Sequence, residues 1–265
     1  MTMRTIRLYG RAMFLAFEMT LRQNFTDMFV LFGIFVQPLI IALLAFWMLQ
    51  ERGGDYIIFV VVGSGMTGLW TTVLFSSGGN ITRERWTGTL ELLVGAPAPI
   101  QVIIFGKNLA DVLQSLGSML LSYTLAIFIF GQIPKIEQPG LFAVSLIIAV
   151  ISYVCFGLIV SPVFVMNPNV QRLQNGLEFP IYILSGFLFP IALLPNWTTP
   201  LSYILAPYWA ARALHATSSG GADFREIALS WGMMILFSLI YLVAASKLFK
   251  TLLYKARVEA TLIRQ

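Results

Sequence analysis

The sequence predicts an all-α integral membrane protein with six transmembrane helices, and three observations lead there. Of its 265 residues, 58% are hydrophobic and only 11% are charged, where a soluble domain carries about a quarter charged residues. Mean hydropathy is +0.81. Six uncharged apolar runs, 28–49, 56–79, 112–131, 141–166, 179–194 and 227–246, mostly reach the ~20 residues that a helix needs to cross ~30 Å of hydrocarbon.

Residues 1–27 precede the first run. Phe14, Phe17, Leu21 and Phe25 recur there at helical spacing, with Arg11, Glu18 and Arg22 on the other side, which is the pattern of a helix lying in the interface plane. A solvated tail is the alternative. The first run starts too late and is too long for the apolar core of a secretory leader, and no small-residue cleavage site follows it, so no cleavage is expected.

After the second run, Gly79 and Asn80 suit the end of a span. The segment 80–99 then packs Arg83, Glu84, Arg85 and Glu91 into an otherwise apolar chain. Thr82 or Thr87 is placed to cap a short helix there, and Pro97 and Pro99 stop it. The alternative is a solvated loop whose charges only set topology. Lys107 and Asp111, four residues apart at the start of the third span, are expected to pair or to anchor that helix at the interface.

Residues 179–211 carry no charge, yet Pro195 and Pro200 interrupt them and the stretch that follows is too short to cross. Backbone at membrane depth must bond within itself or be sheltered by protein, so 195–226 is expected to hold short outer re-entrant helices and a loop. Pro200 and Pro207 fit helix starts or breaks.

Six spans put both termini on one side. Lys and Arg number four before the first span, three around 80–99 (Arg83, Arg85, Lys107), one in the loop 167–176 and five in the C-terminal tail, against four in the three opposite loops (Arg52; Lys135; Arg212 and Arg225). By the positive-inside rule the richer side, with both termini and the 80–99 segment, faces the cytoplasm.

Several function classes are excluded. Net charge is +5, but the basic residues are spread around apolar runs instead of clustering on one soluble face, so no nucleic-acid partner is expected. Cys155 and His215 are each single, which leaves no disulfide framework and no Cys/His metal site within the chain and makes packing their expected role. Gly63, Gly65 and Gly68 match a G-x-G-x-x-G pattern inside a predicted span, where close helix packing around Ser64 is the reading and dinucleotide binding is not. No phosphate-cradling G-x-x-x-x-G-K-[ST], no H-E-x-x-H, no G-x-S-x-G and no pair of acids within one span occurs. The chain is therefore not expected to be an enzyme or an ion-coupled carrier.

Three stretches carry a resemblance: RERWTGTLELLVGAPAP (83–99), FGKNLAD (105–111) and LSGFLFPIALLPNWTTPLSYILAPYWAARAL (184–214). They resemble the permease subunits of type-two ABC exporters, whose relatives include drug-resistance, nodulation-factor and polysaccharide export permeases. The resemblance implies that 80–99 holds a coupling helix docking into a groove of a separate ABC ATPase subunit. Arg83, Glu84, Arg85 and Glu91, with the apolar Leu90, Leu92 and Leu93, would then form a polar-tipped plug, and Gly88 would permit close approach of the partner backbone. Trp86 departs from the charged residue often expected there.

The resemblance further implies two copies of this chain over two ATPase subunits, surrounded by membrane lipids, in a bacterial or archaeal cytoplasmic (inner) membrane. ATP and Mg would be held in the ATPase, and no cofactor or metal is expected in this chain. Short outer loops fit export better than import served by a delivering binding protein. The expected cargo is amphipathic, lipid-like or drug-like, or a lipid-linked glycan. A non-transporting membrane scaffold or assembly protein is the alternative.

Polar residues inside the spans mark the candidate route. Gln37 lies beside Pro38 in the first span; Ser64, Thr67 and Thr71 recur at helical spacing in the second; Asn175, Glu178, Tyr182 and Ser185 do so in the fifth. Polar atoms against hydrocarbon cost free energy, so each stripe faces protein or a water-filled cavity. One reading makes Gln37, Ser64, Thr67, Thr71, Glu178, Tyr182 and Ser185 the substrate path, with Glu178 at its inner mouth. The other makes them helix-to-helix hydrogen bonds.

Overall fold

A computed structural model describes residues 3–49, 55–130, 135–167, 169–221 and 223–258, and no strand occurs among them. The chain opens with α1 (Met3–Thr26), followed by α2 (Met28–Leu31), a π-helical turn π1 (Phe32–Val36) and α3 (Gln37–Leu49). Next come α4 (Asp55–Thr72), a second π turn π2 (Val73–Ser77), α5 (Gly78–Trp86) and α6 (Leu90–Val94). The long helices α7 (Ile100–Phe130) and α8 (Pro139–Val165) precede α9 (Val170–Ser185), two short pieces α10 (Thr199–Tyr203) and α11 (Ala206–Ser219), and the final α12 (Phe224–Val258). Four helical stretches among the described residues are long and apolar enough to cross a membrane: Ile57–Trp86, Ile100–Ile129, Pro139–Val165 and Phe224–Tyr254.

The rod made by α4, π2 and α5 is the hub, with 94% of its most apolar window buried against 22% for that of Phe224–Tyr254. Its core side chains Met66, Leu69, Trp70 and Leu74 are fully buried. Small residues let neighbours close in, as the 63–68 pattern leads one to expect. A Cβ added at Gly63 would lie 2.1 Å from the Phe187 carbonyl oxygen, and one at Gly65 would lie 2.7 Å from the Met119 side chain.

Within π2 the widened turn presents carbonyl groups to other helices. Gln174 Nε2 of α9 donates to the Leu74 oxygen at 2.8 Å, and Ser161 Oγ of α8 donates to the Ser77 oxygen at 2.6 Å.

Below π2 the rod meets a buried carboxyl. Asp111, on α7, is 1% exposed. It accepts from Asn24 Nδ2 of α1 at 2.7 Å, from Asn80 Nδ2 of α5 at 2.8 Å and from Ser77 Oγ at 3.2 Å. Asn24, Thr20 and Ala16 form the buried edge of α1 against α7, leaving Phe14 and Phe25 exposed on the other side. Both the polar edge and the apolar outer face follow from one helical period.

Three sequence expectations shift. The rod does not stop at Gly79 and Asn80: it continues without a break to Trp86, and Thr87 closes its C-terminus with its backbone N–H on Arg83 O instead of capping a new helix. The fifth helix runs Val170–Ser185 and not 179–194, so Arg172 lies inside it and not in a loop. Its end is set by Gly186 at φ 68, a left-handed residue whose N–H bonds Tyr182 and Ile183 oxygens as a glycine C-cap does. Counting uncharged residues placed its start too late because Gln174 and Glu178 turn inward, to 5% and 6% exposure. Lys107 meets Glu84 and not Asp111.

After Gly186 the chain breaks into short helical pieces. Two 3₁₀ turns, Ile191–Leu193 and Asn196–Thr198, lead into α10 and α11, each with a Pro in its first turn. Protein shelters α11, whose Trp209, Ala213, Leu214 and Thr217 are buried, whereas Leu193, Trp197 and Ile204 ahead of it are exposed.

Gly63→Ala and Gly79→Ala should separate packing from propensity. The first must displace Phe187 and is expected to cost about 1–3 kcal/mol through overpacking. The second meets no atom within 4 Å and is expected to leave stability unchanged or raise it by up to about 1 kcal/mol. Thermal unfolding in detergent micelles measures both, and equal midpoints would contradict the close approach.

Candidate cargo cavity and coupling surface

A cavity of about 180 Å³ opens where α2, π1 and α3 face the second-span rod and α9. Val30, Phe32, Gly33, Gln37, Thr71, Thr72, Phe75, Ser76, Arg83 and Glu178 line it. Both π turns contribute wall residues: Phe32 and Gly33 from π1, Phe75 and Ser76 from π2. A π turn widens the helix and re-aims the side chains around it, which places room for a ligand beside an otherwise regular rod.

Glu178 is the chemical centre of the cavity. Its Oε1 accepts from Gln37 Nε2 at 3.1 Å, Thr71 Oγ1 at 3.1 Å and Tyr182 OH at 2.9 Å, and the Thr71 and Tyr182 hydroxyls also touch. These donors offset the cost of burying a carboxyl group in apolar surroundings. They all converge on one oxygen. Oε2 makes no hydrogen bond among the described residues.

The seven expected path residues therefore divide. Gln37, Thr71, Glu178 and Tyr182 come together from three helices. Ser64 and Thr67 do not join them: each is fully buried and bonds its own helix, Ser64 Oγ to Val61 O at 3.0 Å and Thr67 Oγ1 to Ser64 O at 2.7 Å. Ser185 is buried without a hydrogen-bond partner among the described residues.

The six expected coupling residues divide too. Arg83 lines the cavity, and its guanidinium makes no hydrogen bond or ion pair with the described residues. Glu84 turns inward, where it pairs with Lys107 Nζ and accepts from Thr89 Oγ1, so it fastens the segment to α7. Arg85 donates to Val165 O at 3.3 Å at the end of α8, where a cation suits the terminal carbonyl groups. Gly88 takes φ 73 in the turn joining α5 to α6, a conformation glycine adopts at no steric cost. The side chain of Glu91, on α6, lies outside the described residues.

Facing outward instead are Trp86, 77% exposed, and Leu92, 74% exposed. Among the described residues, the exposed tip thus presents large apolar side chains beside Thr87. Trp86, the departure from the family pattern, is its most prominent group. Two further features have weak sequence signals. The Asp111 cluster is foreshadowed only by Asn24, Asn80 and Asn108 standing next to apolar runs, and the role of Arg83 in the cavity depends on the rod running on past Gly79.

Residues 48–247 match the family described as ABC-2 family transporter protein. Over 154 residues, 57% of this chain, the sequence is 28% identical to the "Probable multidrug ABC transporter permease YbhR" of Escherichia coli (strain K12), and the match covers 40% of that protein. Over 166 residues, 60% of this chain, it is 25% identical to "ABC transporter G family member 20" of Dictyostelium discoideum, of which the match covers 23%. The chain spans less than half the length of either relative. With four long apolar helices and a family match over most of its length, this chain belongs to the ABC-2 family of transporter membrane proteins.

Proposed function

We propose that the chain is the membrane-spanning permease subunit of an ATP-driven exporter, accepting an amphipathic cargo at the Glu178 cavity and drawing energy from a separate ABC ATPase subunit. One observation carries this reading: a single rod runs from Thr71, on the buried acid, past Arg83 in the cavity wall to the exposed Trp86. A body that touches both the cavity and an uncovered apolar tip is suited to transmit motion between them. The names of the matched relatives support the same class.

In this reading α2–α3 and α9 complete six spans, α1 lies in the interface plane with Phe14 and Phe25 toward lipid, and 195–226 sits in the outer leaflet. Both termini and the α5–α6 tip face the cytoplasm of a bacterial or archaeal cell. Two copies of the chain stand over two ATPase subunits, which hold ATP and Mg. The cargo is lipid-like or drug-like, or a lipid-linked glycan.

Affinity purification of the tagged chain from its native membrane, followed by an ATPase assay, tests the partnership. Wild-type chain should carry ATPase activity with it. Trp86→Ala and Leu92→Asp should each reduce the co-purifying activity at least about tenfold, the effect of losing a buried apolar anchor at an interface, while membrane insertion stays normal. Wild-type recovery in both variants would refute the docking surface.

Cysteine labelling tests the cavity. In a Cys155→Ala background, Thr72→Cys and Ser76→Cys should react with a membrane-impermeant thiol reagent applied from the cytoplasmic side, and Ser64→Cys should not. Equal reactivity at all three positions would contradict a cavity confined to the π-turn level.

A further inference from the structure

We propose that the Glu178 cavity reads a zwitterionic head group, with Glu178 taking an ammonium and Arg83 an anionic oxyacid such as a phosphate. This rests on the reading of the cavity as the cargo site and specifies what that site selects. The wall holds one acid and one base, Glu178 and Arg83, and they form no ion pair with each other. Thr71, which bonds Glu178, and Arg83 are twelve residues apart along the rod, ~18 Å at the helical rise. Arg83 and Thr71 line the same cavity, as fits an Arg whose stem follows the helical preference for pointing toward the N-terminus. The two charges therefore stand at opposite ends of one space and do not neutralise each other.

Each end has a free ligating capacity. At the acid end, Gln37, Thr71 and Tyr182 occupy Oε1 and leave Oε2 for a cation, with Phe32 and Phe75 in the same wall able to add cation–π attraction. At the base end, two acids whose charge acts on Arg83, Glu84 and Asp111, already have closer partners: Glu84 has Lys107, and Asp111 has Asn24, Asn80 and Ser77. A guanidinium held this way presents its fork of donors to an oxyanion.

The size of the space points to a head group. About 180 Å³ is less than the roughly 300–1,000 Å³ that encloses a drug-sized molecule. The apolar part of the ligand then extends past the cavity mouth, along the exposed face of Phe32.

Native mass spectrometry of the purified full chain in detergent tests this with four probes: lysophosphatidylethanolamine, lysophosphatidylglycerol, a long-chain alkylamine and a compact zwitterionic fluoroquinolone. The wild type should bind the zwitterionic lysolipid at least about tenfold tighter than either singly charged amphiphile, roughly the weight of one charge-assisted hydrogen bond. Arg83→Gln should abolish discrimination against the alkylamine and Arg83→Lys should restore it, while Glu178→Gln should abolish discrimination against lysophosphatidylglycerol. Fluoroquinolone binding with the same variant pattern supports the charge assignment and makes the source a drug instead of a lipid. An unchanged head-group ranking in both variants, or an equal loss for every probe, overturns the proposal. Because cysteine labelling and ATPase co-purification are blind to head groups, their success beside such a result would leave the exporter reading intact and remove only this assignment.

Discussion

A carboxyl group buried in apolar surroundings must be given hydrogen-bond donors, and Asp111 draws its donors from two other parts of the chain. Asn24 arrives from α1, and Ser77 and Asn80 arrive from the rod, so satisfying one side chain fixes three helices relative to each other. Hydrophobic burial alone does not supply this. In lipid the outer faces of the helices are no worse solvated than their contacts, and orientation is left to close packing and polar bonds. Removing one partner would strand buried polar groups, each at a cost of about 1–3 kcal/mol. The Glu84–Lys107 pair makes a second tie between the rod and α7, close to the α5–α6 tip. The tip is thereby tied through Glu84 to α7 as well as to the buried rod that lines the cavity.

The cavity depends on a local departure from regular helix. Two π turns face each other across it, and at π2 the carbonyl groups of Leu74 and Ser77 are bonded by side chains of α9 and α8. Those bonds hold a helical irregularity that the rod would otherwise lose to ordinary α-helical pairing. The same turn positions Thr71 and Thr72 on one side and Ser76 on the other, so that the polar stripe of the second span divides. Its upper members, Ser64 and Thr67, bond their own helix. Thr71 reaches Glu178.

Much of this was legible in the sequence. Composition and run length gave the helical membrane class, the prolines located the broken segment after α9, helical spacing picked out Thr71, Glu178 and Tyr182 as polar groups in need of partners, and Gln37 stood out as a polar residue beside Pro38 in an apolar run. Spacing could not separate these from Ser64 and Thr67, because a hydroxyl on a helix can satisfy itself on a carbonyl three or four residues back. Boundaries failed where charge, or a Gly–Asn pair, was taken to end a helix. Glu178 and Gln174 sit within α9 because they face protein, and the rod passes Gly79 and Asn80 because Asn80 has Asp111 to bond. That continuation moves Arg83 from the expected coupling surface into the cavity wall and leaves Trp86 at the tip.

The account stands on Asp111 acting as a common anchor for α1 and the rod. Backbone amide hydrogen exchange of the full chain in nanodiscs, compared between wild type and Asp111→Ala, measures this most directly. Exchange should speed up together in two segments far apart in sequence, 20–26 and 78–86, while α12 keeps its wild-type protection. Acceleration in only one of the two segments, or in neither, would contradict the claim that this carboxyl holds the helices as one body.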